Sequence, residues 1–152
     1  MHPVARQATP ESQLLFLPGV FNETLSLLFD AHHYFQSRGT EDQASIEPQL
    51  RLAYSQEMSR VTLRLTSVMA WLMVRRAVYA GRIEEEKAAD SYRLDGAESC
   101  LEHTPELLDR MPTYLSYLSG RSHDVYTRIH RLDEMAYGAP TNGQQARTAY
   151  DA

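Results

Sequence analysis

The fold is decided by residues 48–80, which read PQLRLAYSQEMSRVTLRLTSVMAWLMVRRAVYA. A helix turns once every 3.6 residues, so apolar side chains in steps of three and four share one of its faces. Pro48 at the start and Gly81 after the end are typical helix boundaries. We therefore predict one long helix over residues 48–80. Its apolar face consists of Tyr54, Met58, Val61, Leu65, Val68 and Leu72.

Two further helices are predicted on either side of this one. The first covers residues 18–38, with an apolar stripe at Phe21, Leu25, Leu28, His32 and Phe35. The other covers residues 105–137 and starts with Thr104 as N-cap and a proline in the first turn. Its apolar register runs from Leu108 to position 136 across Pro112 and Gly120 without slipping. This continuity predicts a single helix that is kinked near Pro112.

The segments between and beyond these helices are polar or aperiodic. Residues 40–47 are predicted to form a loop, and residues 82–102 an acidic connector with a short helix and a turn at Asp95-Gly96. Residues 1–13 are expected to form a loose N-terminal arm, and residues 138–152 a flexible tail. Short connections make neighbouring helices antiparallel. The whole chain is therefore predicted to be a single all-α domain, an up-down-up three-helix bundle.

The composition excludes several classes of protein. The chain has 152 residues and a net charge of −5, and residues 82–102 hold seven acidic against three basic side chains. The single cysteine, Cys100, cannot form an internal disulfide, which favours a reducing cytoplasm. The longest apolar run covers residues 68–74, far short of the roughly 20 residues that span a bilayer. The N-terminus lacks the pattern of a signal peptide, so we expect a cytoplasmic protein with no membrane partner.

No motif for catalysis, a metal or a cofactor is found in the sequence. A bundle di-metal site needs two Glu-x-x-His motifs, whereas only Asp30-x-x-His33 and the pair His130 and Glu134 come near this pattern. His32 is expected to be a core histidine, and the other two histidines to lie on the surface. Acidic neighbours should raise the pKa of Cys100 rather than activate its thiol. Phosphate-binding glycine loops and nucleophile motifs are absent from the sequence, so no enzyme activity is predicted.

Residues 114–135 imitate a helix-turn-helix, since Gly120 separates two apolar segments. Two properties argue against DNA binding. The apolar register does not bend at Gly120, and residues 112–136 have a net charge of zero, whereas phosphate binding is driven by basic excess. A DNA-binding regulator is therefore the least favoured of the functions that we consider, and no nucleic-acid partner is expected.

The end of the central helix predicts a dimer. Residues 68–74 are apolar on every side of the helix and so must be buried on every side. A first helix over residues 18–38 covers only about residues 48–68, which leaves either residues 14–17 or a second copy of the chain to cover the rest. We predict a homodimer packed through Met69, Trp71 and Met73.

The arginines of the central helix are the candidate binding residues. Arg60 and Arg64 lie four residues apart, Glu57 is placed to pair with Arg60, and Arg75 and Arg76 follow the apolar run. Without further context, a solvated basic face with helix-stabilising ion pairs is the favoured interpretation.

The central helix also resembles that of a known family. The segments AYSQEMSRVTLRL (residues 53–65) and WLMVRRAV (residues 71–78), with Gly81 after them, look like the central helix of the RcdA family, the regulators of CtrA degradation. Glu86-Lys87 and Tyr92-Arg93-Leu94 resemble that family's connector. The resemblance covers residues 50–95, and in the outer helices it is limited to the layout.

This resemblance implies a dimeric three-helix bundle with a flexible tail. It further implies a non-enzymatic adaptor that helps present cell-cycle regulators to the ClpXP protease, together with CpdR-like and PopA-like partners. Within that frame, Arg60, Arg64, Arg75 and Arg76 are expected to face a partner, and the tail from Gly138 to engage one. The alternative is a helical interaction module of unknown clientele.

Overall fold

A computed structural model defines the backbone of residues 10–138 and the side chains from Leu17 to Gly138. Residues 1–9 of the predicted N-terminal arm and residues 139–152 of the predicted tail lie outside the described part of the chain. Residues 10–138 contain helices and turns and no strand, so the predicted all-α fold is confirmed. The helices are α1 (Pro10–Ser37), α2 (Gly39–Ser45), α3 (Arg51–Tyr79, preceded by a 3₁₀ turn at Pro48–Leu50), α4 (Glu85–Ser91), α5 (Ala97–Cys100), α6 (Pro105–Leu108) and α7 (Thr113–Tyr137).

The three long helices α1, α3 and α7 enclose one hydrophobic core. The predicted apolar face of α3 is buried, except that Met58 is only partly so. The register predicted for the last helix is also confirmed from Leu108 to Ile129, all of whose members are buried. Each face obeys the helical period where it contacts the core, and the predicted α7 face leaves the core at its end, where Leu132 is partly buried and Ala136 is exposed. The completely buried hydrophobic residues of these two helices are Tyr54, Val61, Leu65, Val68 and Leu72 of α3 and Leu115, Leu118, Val125, Tyr126 and Ile129 of α7.

The direction of α7 differs from the predicted up-down-up order. Near one end of the bundle, Glu57 of α3 accepts a hydrogen bond from Ser119 of α7, and near the other end Arg75 donates one to Tyr137. The residue numbers of both helices therefore increase towards the same end of the bundle, so α3 and α7 are parallel. Helix α1 is antiparallel to α3, because the Tyr34 and Tyr54 hydroxyls are 3.0 Å apart whereas Arg76 lies over the ring of Phe21.

The physical reason for this difference is the length of the path between α3 and α7. The prediction treated residues 82–102 as a short connection that reverses the chain. Instead, residues 80–112 run back along the whole bundle, from Glu85 beside Arg75 to Arg110 beside Glu47. Helix α7 therefore begins at the same end of the bundle as α3. We call residues 80–112 the connector.

The first helix starts earlier and buries a different stripe than expected. It begins at Pro10, so Pro18 lies inside it and residues 10–13 do not belong to an arm. Leu25 is 38% exposed and His32 is exposed, so the expectation of a core histidine is wrong. Polar members are tolerated in the buried stripe because their hydroxyls are bonded, as Thr24 shows by donating to the Val20 carbonyl at 2.8 Å. The buried stripe is Leu17, Val20, Thr24, Leu27, Ala31 and Tyr34.

Two predicted element boundaries are also corrected. Residues 40–47, predicted as a loop, largely form α2, which is held by a 2.6 Å hydrogen bond from Tyr34 to Asp42. The single helix predicted over residues 105–137 is broken into α6 and α7, with Pro112 in an extended conformation at φ −53° and ψ 139°. Proline lacks an N–H and disfavours helical backbone in the residue before it, so a break replaces the expected kink. Helix α7 is continuous through Gly120.

Candidate interaction surfaces

Arg64 of α3 is completely buried and binds the connector to the bundle. Its Nε donates to the Cys100 carbonyl at 2.8 Å, and its Nη2 donates to the Glu102 carbonyl at 2.5 Å. Its Nη1 lies 3.3 Å from a carboxylate oxygen of Glu57 and also reaches Ser119. Burial lowers the pKa of the Arg64 guanidinium, and the Glu57 carboxylate opposes this shift. Arg64 therefore fixes the second half of the connector against α3 and α7.

Asp133 of α7 is the second buried attachment point of the connector. Its carboxylate accepts hydrogen bonds from the Trp71 indole at 2.9 Å, the Arg93 guanidinium at 2.9 Å and the Leu94 backbone N–H at 3.2 Å. The polar edge of Trp71 is thus satisfied inside one chain, and the residue is only 5% exposed. Trp71 packs in the core of the bundle, so it does not lie on the surface where a dimer contact was expected.

Arg75 is held in an aromatic cluster near the end of α3. Its guanidinium donates to Glu85 at 2.9 Å and to the Tyr137 hydroxyl, and it lies 5.3–5.7 Å from the centroids of the Trp71, Tyr79 and Tyr137 rings. Cation–π contacts of this kind add to the ion pair. The residue is only 6% exposed.

The four predicted partner-facing arginines therefore divide into two groups. Arg64 and Arg75 are buried and bind the connector, so the expectation that they face a partner is corrected. Arg76 is exposed, and the Arg60 side chain is 20% exposed. Sequence spacing could not separate the groups, because the connector that buries two of them is distant in sequence. Of the predicted dimer residues, Met73 is 59% exposed and Met69 is partly buried.

A groove of about 610 Å³ lies between α3 and α5. Its wall contains the ion pair of Arg60 with Glu102, at 3.1 Å, and the side chain of Leu63, which is 40% exposed. Arg60 was predicted as a binding residue, but the groove was not predictable from the sequence, because Ser99 and Glu102 approach α3 only in the folded chain. Its lining includes Gln56, Ser59, Arg60, Leu63, Ser99 and Glu102.

An aromatic patch that sequence analysis missed lies on α7 near its start. Tyr114 is 37% exposed and Tyr117 is 49% exposed, and their ring centroids are 5.7 Å apart. The ring of Tyr114 also lies 4.9 Å from that of the buried Tyr34. Both tyrosines fall outside the apolar register of α7, and this is the feature of the sequence that indicates that they face solvent. Exposed tyrosines in mutual contact are typical of protein-binding surfaces.

Cys100 does not have the environment of a reactive thiol. Its side chain is completely buried, and burial raises the pKa of its thiol to about 11, an effect that Arg64 partly opposes. Asp95 contributes to the upward shift of the pKa but less than burial does, which corrects the cause expected from the sequence. The protonated thiol packs beside Gly96, whose φ of +81° forms the predicted turn.

The candidate metal ligands are not brought together. His33 is exposed on α1, and His130 on α7 lies 3.7 Å from Glu134. Among residues 10–138, no group of three or more His, Cys, Asp or Glu side chains is arranged to hold a metal ion. No helix within the same residues is long and apolar enough to cross a membrane.

Comparison with known proteins identifies the family. A family model described as "Protein of unknown function (DUF1465)" matches residues 11–151. The chain belongs to this family. A solved structure, that of RcdA from Caulobacter crescentus CB15, matches this chain with 27% sequence identity and a TM-score of 0.64. The match covers 82% of this chain and 92% of that one. No curated protein sequence matches the chain.

The match to RcdA confirms the family resemblance seen in the central helix. It extends well beyond residues 50–95, since 82% of the chain superposes.

Proposed function

We propose that the chain is a non-enzymatic adaptor that helps deliver cell-cycle regulatory proteins to the ClpXP protease. The similarity to RcdA over most of both chains carries this proposal. CpdR-like and PopA-like proteins are the partners that the family resemblance implies, and the cytoplasm is the compartment where they would meet. An adaptor acts by tethering, which raises the effective concentration of a substrate near the protease without any chemistry.

The structure supports this role through its rigid scaffold and exposed side chains. The connector is bound to α3 and α7 at Arg64, Arg75 and Asp133, so the surface it forms has one defined shape. Arg60 borders the connector through Glu102, whereas Arg76 is exposed beside Phe21 of α1, and these are the two arginines that we propose contact a partner. A helical interaction module with other clients is the alternative outcome of the experiment below.

The test is a reconstituted degradation assay with purified ClpXP, a CpdR-like protein, a PopA-like protein and a labelled cell-cycle regulator. Adding the adaptor should accelerate loss of the substrate. Replacing Arg76→Glu should slow the accelerated rate by about fivefold, the effect of losing a contact worth about 1 kcal/mol. The matched control is Arg121→Glu, which makes the same charge change at a 48% exposed side chain on α7. If the adaptor accelerates no substrate, the proposal is wrong and only the family and fold remain.

A homodimer through the end of α3 belongs to the same proposal. Met73 is 59% exposed there, and Met69 is partly buried beside it on the outer side of the helix. Met73→Glu should halve the mass measured by sedimentation, because a charge in an apolar interface has no partner. Leu52→Glu, at a 72% exposed position on the opposite end of α3, should leave the mass unchanged. A wild-type monomer at micromolar concentration would contradict the dimer.

A further inference from the structure

We infer that the groove between α3 and α5 binds an extended polypeptide segment that carries a basic side chain. The inference rests on the proposed function only in taking the segment from a client or partner protein. The groove has a volume of about 610 Å³ and a mainly polar lining.

The lining of the groove matches the chemistry of a peptide backbone. Ser59, Ser99 and Gln56 each supply both a hydrogen-bond donor and an acceptor. Backbone N–H and C=O groups need partners of both kinds at every residue. Leu63, which is 40% exposed, offers an apolar contact for one side chain of the segment. A purely apolar ligand would leave these polar groups without partners.

The charged residues at the groove favour a basic side chain in the bound segment. Among the described side chains that line the groove, the one cation is Arg60, which already pairs with Glu57 at 2.5 Å and with Glu102 at 3.1 Å. The carboxylate of Glu102 is 58% exposed, and Glu98 is exposed on the neighbouring turn of α5. A phosphate or carboxylate would have to compete with these acids. A lysine or arginine side chain would instead be attracted to Glu102.

The position of Arg60 adds a second observation. Its Nε is buried and has no hydrogen-bond partner within the protein, although both terminal nitrogens donate to carboxylates. A buried donor without a partner is unfavourable. A small rotation of the guanidinium towards a peptide carbonyl in the groove would supply the missing bond.

The test selects peptides without assuming a client. The full-length protein is immobilised, and a phage-displayed library of linear 12-residue peptides is enriched on it. We expect binders with few acidic residues and a lysine or arginine at a common position. The leading peptide is synthesised with a fluorescent label, and its binding is measured by fluorescence anisotropy.

Two variants then locate the binding site. Ser59→Trp fills the groove and should weaken binding at least tenfold, whereas Thr62→Trp, at an exposed position of the same helix outside the groove, should not. Glu102→Gln should weaken binding about two- to fivefold, as for an exposed ion pair, and should have no effect on the same peptide with its basic residue replaced by alanine. Melting curves of each variant establish that it is folded.

The inference is overturned if no peptide is enriched, if acidic peptides are enriched, or if Ser59→Trp and Thr62→Trp bind the peptide equally. These outcomes are separate from those of the degradation assay. A groove that binds peptides in a protein that accelerates no proteolysis would contradict the proposed function alone. Accelerated proteolysis that Ser59→Trp leaves intact, with no peptide binding, would contradict the groove alone.

Discussion

Replacing Arg64→Met should destabilise the protein by about 3 kcal/mol. Removing one member of a buried ion pair typically costs about 3–5 kcal/mol. The lower value applies because Glu57 keeps its 2.5 Å pair with Arg60, so its charge is not left alone. The connector carbonyls of Cys100 and Glu102 lose their bonds at 2.8 and 2.5 Å. For a domain of this size, the loss corresponds to a fall in Tm of about 6–12 °C.

The change is measured by urea unfolding, followed by circular dichroism, and by the reaction of Cys100 with a thiol reagent under native conditions. Detaching the connector should expose Cys100, so its labelling should accelerate at urea concentrations too low to unfold the bundle. The control is Arg76→Met, an exposed residue whose contact with the Phe21 ring is worth no more than about 1 kcal/mol. The reasoning is refuted if Arg64→Met unfolds within 1 kcal/mol of the wild type or leaves Cys100 as protected as before.

Three further predictions follow from other contacts. Trp71→Phe loses the indole hydrogen bond to Asp133, so the free energy of unfolding in urea should fall by about 1–3 kcal/mol. The mass measured by sedimentation should stay the same, and a fall in mass would show that Trp71 belongs to a dimer interface. The raised pKa of Cys100 favours the protonated thiol of the folded state. The contribution of this thiol to the free energy of unfolding is therefore complete below pH 9 and is lost as the pH rises towards 11. Between these pH values, the wild type should lose about 2 kcal/mol more stability than Cys100→Ala; parallel pH profiles of the two proteins would contradict this. Gly96→Ala, at φ +81° with its new Cβ 3.1 Å from the Cys100 sulfur, should lower Tm, whereas Gly120→Ala, in open helix, should raise the stability by about 0.5–1 kcal/mol; the opposite order of melting temperatures would be inconsistent with the turn geometry.

Helix α3 shows what local periodicity can determine. Its apolar face from Tyr54 to Leu72 was predictable because every member of it packs against the same core, so a single period describes the whole helix. The turn at Gly96 was predictable for a similar reason, since a positive φ is a local property that favours glycine.

Helix α1 shows where the same reasoning fails. Two neighbouring stripes on this helix are largely apolar, and where the predicted one has Leu25 and Phe35, the buried one contains Thr24 and Tyr34. Both residues are buried because their hydroxyls have partners, Val20 for the first and Asp42 with Tyr54 for the second. Such partners depend on how the chain folds, so periodicity alone cannot reveal which polar residues the core accepts.

By itself, the sequence determined the all-α class, the central helix with its buried face, the register of α7 and the membership of a family, because these depend on neighbours within a few turns. Only the tertiary structure decided that α7 runs parallel to α3. It also decided that Arg64 and Arg75 bind the connector rather than a partner, and that Arg60 borders a groove with Glu102. These features depend on contacts between segments that are distant in the chain. The same spacing of arginines fits an exposed face and a buried attachment equally well until the path of the connector is known.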